Sequence, residues 1–214
     1  MADNPAGAGS GLRAAALLDA LDRADVEDVG VPDVNAVADA FDPRELGKDD
    51  FRRLLATLLR LAERAPAFAL EKVDPARFAT LVARASRAQL EAVVAERVLR
   101  TRVLDEIFAR MGAHIRVDRA RSLHAVVHWR LSGGVGEGGY DRYETLISQG
   151  ACTVSREMRE KPRVTITVSP VDFFRIVTHQ ATPAVLFVTG KIKVKGDLAF
   201  AAGLIGYFDL PRPA

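Results

Sequence analysis

Val164-Thr165-Ile166-Thr167-Val168-Ser169-Pro170-Val171-Asp172-Phe173 is a strand that becomes a helix. Val164, Ile166 and Val168 alternate with Thr165 and Thr167, the period of a pleated strand. Ser169, Pro170 and Asp172 then supply a cap, a first-turn proline and a capping-box acid. The short helix that follows carries Phe173, Ile176 and Val177 on one side and Phe174 on another. Further on stands Leu186-Phe187-Val188-Thr189-Gly190-Lys191-Ile192-Lys193-Val194-Lys195-Gly196-Asp197-Leu198. Gly190 to Gly196 reads as a strand with Ile192 and Val194 between three lysines. Asp197 caps a terminal helix predicted over Leu198 to Phe208 and ended by Pro211.

Upstream of this region the period is also two. Leu123, Ala125, Val127, Trp129 and Leu131 alternate with His124, Val126, His128 and Arg130. Tyr143 to Ser148 and Ala151 to Arg156 flank Gln149-Gly150 and read as a hairpin. Before residue 111 the period is helical. In Asp49 to Ala65, Phe51, Leu54, Leu55, Leu58, Ala62 and Ala65 share one stripe. Asp42-Pro43 and Asp74-Pro75 are helix-start signals. The second opens a helix that buries Phe78, Leu81, Val82 and Ala85. Ser86 to Met111 is one long helix or two abutting ones, with Gly112 as its C-cap. A polar break at Arg97 and Thr101 places a domain boundary there. The domains expected are a flexible tail over 1–12, a helical domain over 13–97 and an α+β domain over 98–214.

Composition sets bounds on function. The chain has 214 residues, 49% apolar and 27% charged, which excludes a disordered or collagen-like chain. One cysteine, Cys152, excludes an intrachain disulfide and a cysteine zinc cluster. The first fifty residues carry a formal charge of −8, residues 51–121 carry +7 and residues 122–214 carry +3. The acidic leader is expected to lie against the basic helices after it; the sharper alternative is a basic face for anionic lipid or nucleic acid. The net charge of +2 is too mild to imply nucleic acid. No signal-peptide core and no membrane-spanning run is visible, so a cytoplasmic location is expected.

The motifs of chemistry are weak. Gly134-Val135-Gly136-Glu137-Gly138-Gly139 matches the dinucleotide pattern, but a strand and not a helix is expected after it. His124 and His128 on a strand stand ~13 Å apart, too far to share one ion. Cys152 alternates with Val154 and reads as a small buried side chain. No metal, no cofactor and no catalytic residue is therefore expected, and the protein is read as not an enzyme.

The terminal helix is the least ordinary element. From Leu198 to Phe208 it has no charged residue, so it needs cover on every side. It is either a movable lid on an apolar cavity or a buried core helix. Lys191, Lys193 and Lys195 either protect an edge strand or attract anionic head groups.

Residues 98–210 resemble the sterol carrier protein type 2 family. The resemblance rests on the threonine-alternating strand, on Asp172-Phe173, and on Phe187 before Gly190-Lys191-x-x-x-x-Gly196-Asp197. It implies a five-stranded, mostly antiparallel sheet covered by helices, with a lipid tunnel between the layers. The wall residues expected are Phe173, Phe174, Ile176 and Val177 from the short helix. Leu186 and Phe187 are expected at the tunnel end, and Leu198, Ala201, Leu204, Ile205 and Phe208 in the lid. A Leu204→Asp change should then lower ligand retention with stability near wild type. Lys191, Lys193 and Lys195 are the membrane-docking candidates.

The last residues, Pro211-Arg212-Pro213-Ala214, differ from the peroxisomal signal of eukaryotic family members. Domains of this type also occur appended to acetyltransferases, alkylsulfatases and mycothiol-dependent isomerases. Residues 1–113 hold no histidine, so the metal-binding bundle of the isomerases is not matched. The Ala/Arg-rich composition resembles that of actinobacterial proteins. The function expected is a lipid carrier for an acyl or polycyclic ligand, which meets an anionic membrane transiently. The alternatives are an interaction module whose N-terminal helices recruit a protein, its cavity filled or vestigial, and an accessory subunit of a lipid-modifying enzyme.

Overall fold

Side-chain caps set where several helices begin. A computed structural model describes residues 5–23 and 33–213, with side chains from residue 14 onward. Helix α1 spans Pro5–Arg23, so the expected tail is corrected: its residues from Pro5 are helical, and residues 1–4 lie outside the described residues. Propagation explains the difference. Extending a helix from the Ala/Leu run at 14–21 costs less than nucleating one, even through Gly7, Gly9 and Gly11.

Helix α2 (Val34–Ala40) is capped by Asp33, whose carboxylate accepts from the Asn35 and Ala36 N–H groups. Asp42-Pro43 opens only a 3-10 turn, Pro43–Glu45. Helix α3 (Lys48–Ala62) starts after Gly47 and buries Phe51, Leu54, Thr57, Leu58 and Leu61. Helix α4 (Pro75–Arg84) has the expected Asp74 cap, and Ser86 forms a capping box with Gln89 at the start of α5 (Arg87–Ala95). Helix α6 (Arg97–Ala113) follows directly, so Ser86 to Met111 is two abutting helices. Acidic residues meet basic helices here: Arg53 bonds Asp19 at 2.7 Å and Asp22, while Arg77 pairs with Asp39.

The chain forms two compact units, Met1–Val103 with Arg212–Ala214, and Leu104–Pro211. The division falls inside α6, at 103/104 where 97/98 was expected. Arg97 and Thr101 thus belong to the first unit.

In the second unit, Gly112 lies in the last turn of α6 and is not its cap. A Cβ there would sit 3.3 Å from the Cys152 carbonyl oxygen. After α7 (Val117–Ala120) come β1 (His124–Ser132), β2 (Tyr140–Ser148), β3 (Ala151–Ser155) and β4 (Val164–Val168). Then follow α8 (Pro170–Val177), α9 (Pro183–Val188), β5 (Ile192–Gly196) and α10 (Leu198–Gly203). The five strands form one sheet in the order β3-β2-β1-β4-β5. Only β1 and β4 run parallel, with Trp129 opposite Ile166.

The Gln149-Gly150 turn between β2 and β3 has positive φ at both residues, as a two-residue hairpin of type I′ requires. Gly196 closes the β4–β5 pair with φ of +110°, where a Cβ would lie 2.4 Å from the Arg163 carbonyl oxygen. This is the close approach behind the second glycine of the Gly-Lys motif.

The terminal segment is not one helix. Helix α10 stops at Gly203, and a 3-10 turn covers Leu204–Tyr207. Gly203 and Gly206 weaken the helix by ~1 kcal/mol each. Phe208 then makes an isolated antiparallel bridge with Ile115, flanked by Arg116 N–H to Tyr207 O and Asp209 N–H to His114 O, both 2.7 Å. Nor is the segment covered on every side: Phe200 and Leu204 are buried, but Leu198 is exposed.

On the sheet face away from the cavity, the buried Glu144 accepts from the His128 ring and from the backbone N–H groups of Arg159 and Glu160. Burial alone would raise its pKa. The Glu160 N–H, the His128 ring and the Arg159 N–H together outweigh burial and hold it below the usual carboxylate value. The stabilisation is therefore complete above the unfolded value of ~4.3 and is lost as pH falls through the lower folded value. Glu144→Gln should cost ~2 kcal/mol at neutral pH. Urea titrations against pH should show a shallower acid slope for the variant, and an unchanged slope would sink the assignment.

A candidate ligand cavity

The strand alternation that faces one side of the sheet inward creates the floor of a cavity of about 260 Å³. Trp129 of β1, Ile166 and Val168 of β4, and Ile192 and Val194 of β5 form this floor. Ile176 of α8 joins Pro183, Ala184, Phe187 and Val188 of α9 along one wall. Leu198, Ala201, Ala202, Leu204 and Ile205 close it from α10 and the turn after it. No titratable side chain is in the wall. Trp129 spends its only polar atom elsewhere, donating from Nε1 to Thr145 Oγ1 at 3.1 Å. Such a cavity selects by shape and burial, with nothing to orient a polar group.

Of the expected wall, Ile176, Phe187, Leu198, Ala201, Leu204 and Ile205 line the cavity together. Phe173, Phe174, Val177, Leu186 and Phe208 do not. Phe173 is fully buried, stacked on Phe108 at 4.9 Å and tilted against Trp129 at 5.4 Å, so it is core. Phe174, Val177 and Leu186 are also buried away from the cavity. Phe208 is held in its bridge to Ile115. Leu204 is 1% exposed and serves wall and core at once. An aspartate there would be a buried, unpaired carboxylate, so the expectation of unchanged stability is corrected.

The lining residues that sequence reading missed are the floor, Pro183, Ala184 and Val188 of α9, and Ala202 of α10. Trp129, Ile166, Val168, Ile192 and Val194 were each placed on a common strand face by alternation, and that face was the available signal. Helix α9 carried a weaker one, Thr182-Pro183, a proline at the first helical position.

The other candidate chemistry stays dispersed. His124 Nδ1 lies 3.2 Å from Ser148 Oγ, and His128 is engaged by Glu144. Among the described residues, no group of three or more His, Cys, Asp or Glu is placed to hold a metal. Burial pushes the Cys152 thiol up to about 11, which leaves little thiolate at neutral pH. The Gly134–Gly139 loop leads through a three-residue 3-10 turn into β2, with no helix to meet a pyrophosphate. No described helix is long and apolar enough to cross a membrane.

Sheet, covering helices and apolar cavity define an α+β domain with an apolar space between its layers. Residues 104–209 match the sequence model of the SCP-2 sterol transfer family, and the C-terminal half of the chain is an SCP2-like domain preceded by N-terminal helices. That match supports a general lipid-binding or lipid-transfer role for the C-terminal domain.

A curated relative, hydroxysteroid dehydrogenase-like protein 2 of Bos taurus, is 28% identical over 105 residues, 49% of this chain and 24% of the relative. The chain thus spans about a quarter of that relative's length. Among solved structures, apo Sterol Carrier Protein 2 of Yarrowia lipolytica is 23% identical, covering 42% of this chain and 69% of its own, with a TM-score of 0.35. Palmitated SCP2L2 of Aedes aegypti is 24% identical, covering 49% and 88%, with a TM-score of 0.38. The sec-alkylsulfatase Pisa1 of Pseudomonas sp. is 17% identical, covering 90% and 32%, with a TM-score of 0.44.

Proposed function

We propose that the protein is a non-catalytic carrier that holds an acyl or polycyclic ligand in the cavity of its C-terminal domain. One observation carries this reading: a cavity of about 260 Å³ whose lining side chains are all apolar, Phe187, Val188 and Leu198 among them reaching the surface. The volume exceeds the ~150 Å³ of an apolar cavity that takes up benzene, and it approaches the ~300 Å³ at which small-molecule sites begin. Each methylene taken in contributes ~0.8 kcal/mol, so retention needs no hydrogen bond. A long-chain lipid exceeds the volume. Either its end emerges at the mouth or α10, weakened at Gly203, yields to it. An open cavity of this size weighs against the alternative of a module with a filled core.

Native mass spectrometry of the gently purified chain, followed by solvent extraction, tests the reading. The expected spectrum shows an adduct of one apolar molecule per chain, displaced by added fatty acid. A clean apo mass after incubation with fatty acid, acyl-CoA and a hopanoid would overturn it.

A further inference from the structure

We infer that the sheet face turned away from the cavity holds an acidic, extended segment of a partner protein. Ile192 and Val194 line the cavity from β5, as Ile166 and Val168 do from β4 and Trp129 from β1. Alternation therefore turns Lys193, Lys195, Thr165, Thr167 and Arg130 to the opposite face. The register sets these side chains in rows. Arg142 of β2 stands opposite Arg130, Arg130 opposite Thr167, and Thr167 opposite Lys193. In the next row Glu144, His128, Thr165 and Lys195 align in the same way. The connection from β3 to β4 meets the face at this second row, where the Arg159 and Glu160 N–H groups bond Glu144. Arg130, Lys193 and Lys195 are exposed, and Thr167 and Arg142 are half-buried.

Charge names the occupant. Like charges directly opposite each other destabilise a sheet, and Arg130 faces Arg142. Arg142 is relieved by Glu137 at 2.7 Å. Among the described residues no acid pairs with Arg130, Lys193 or Lys195. Glu144, the acid of the second row, is spent on His128 and the two N–H groups. The face therefore presents a guanidinium fork and two ammonium groups with a threonine hydroxyl between them, a donor set that carboxylates fit. From Arg142 to Lys193 the row crosses three interstrand spacings, ~14 Å, the length of about four to five extended residues. Alternate side chains of such a segment fall on one side, so acids at every second position meet the row. Single-stranded nucleic acid fits worse, because it needs open rings on which bases stack. Tyr140 is half-buried, and Arg130 already lies over its ring at 6.0 Å. A second copy of the chain also fits worse, since a two-fold contact sets cations against their own image. The surface is independent of the carrier reading. The cavity lies under the other face, so partner and ligand can be held together without competing.

The test is fluorescence anisotropy of the full chain with a labelled dodecapeptide of alternating aspartate and glutamate, against one of serine and glycine. The acidic peptide is expected to bind at least about tenfold tighter, and to weaken as salt shortens the Debye length from ~10 Å at 0.1 M to ~3 Å at 1 M. R130E/K193E should lose at least about tenfold. Its melting temperature should equal or exceed that of wild type, because an acid opposite Arg142 removes a like-charge pair. K48E/K72E makes the same change in net charge at two exposed lysines of the first unit, and should bind the peptide as wild type does. Both variants should keep wild-type affinity for a fluorescent fatty acid. Full peptide binding by R130E/K193E would overturn the surface, and so would an equal loss in K48E/K72E, which would make the attraction one of net charge. Equal or tighter binding of a thymidine dodecanucleotide would overturn it in favour of nucleic acid. A lowered melting temperature in R130E/K193E would make the row a structural feature of the sheet and overturn it as well.

Discussion

Phe108→Ala is expected to lower the melting temperature of the C-terminal domain by roughly 12–40 °C. Phe108 is fully buried in α6, and three rings converge on it: Tyr143 stacks at 3.9 Å, Phe173 at 4.9 Å, and Trp129 meets it edge-on at 5.8 Å. Removing the ring leaves a void that those rings cannot close together. Tyr143 is tethered through its hydroxyl, which donates to Asp105 at 2.8 Å and accepts from Arg156. Trp129 is tethered to Thr145. A Phe→Ala change in such a setting costs ~3–5 kcal/mol, and a domain of about 100 residues shifts by ~4–8 °C per kcal/mol. Trp129 is the chain's single tryptophan and lies in this cluster, so its emission reports the melting of this unit without contribution from the other. Phe108→Leu should recover about half of the loss by refilling part of the volume. A shift of a few degrees for the alanine variant would mean that the cluster repacks freely and is not the keystone of the core.

The same aromatic cluster shows where sequence reading succeeds and where it stops. Strand alternation placed Trp129, Ile166, Ile192 and Val194 on faces, and local grammar placed Ser169 and Asp197 as caps, because both are set by near neighbours along the chain. The Asp-Phe motif placed Phe173 at the start of a helix, but not in the core. Whether a buried aromatic lines a cavity or fills it depends on which rings reach it from distant segments, and Phe108 lies far from Phe173 in sequence. The lid assignment of Phe208 fails for the same reason: its partner is Ile115, reached only after the whole sheet is built. Helix α9 is too short for periodicity to register. Alanine positions carried the least signal of all. Ala184 and Ala202 line the cavity because they leave space, and an unfilled volume has no signature in hydrophobic pattern.

That last point makes Ala201→Phe the sharpest probe of the carrier reading. Ala201 is half-buried on the cavity side of α10. A phenyl ring added there has open volume to enter, since an apolar cavity of ~150 Å³ already admits a benzene molecule. The ring should occupy much of the 260 Å³ and exclude ligand, while contributing apolar contacts to the closed state. The expected result is at least a tenfold loss of fluorescent fatty-acid affinity, or ~1.4 kcal/mol, with a melting temperature equal to or above wild type. This pairing of losses and gains separates a ligand site from a core defect. Leu204→Asp should lose both binding and stability, because its carboxylate enters the core as well as the cavity. Ala199→Phe, on the exposed side of α10 and outside the wall, should lose neither. Wild-type affinity in Ala201→Phe, with the ring shown to lie inside by altered Trp129 emission, would mean that the ligand binds elsewhere on the chain. Lost stability without lost affinity would mean that the volume closes around its own side chains in solution, and weight would pass to the interaction-module reading.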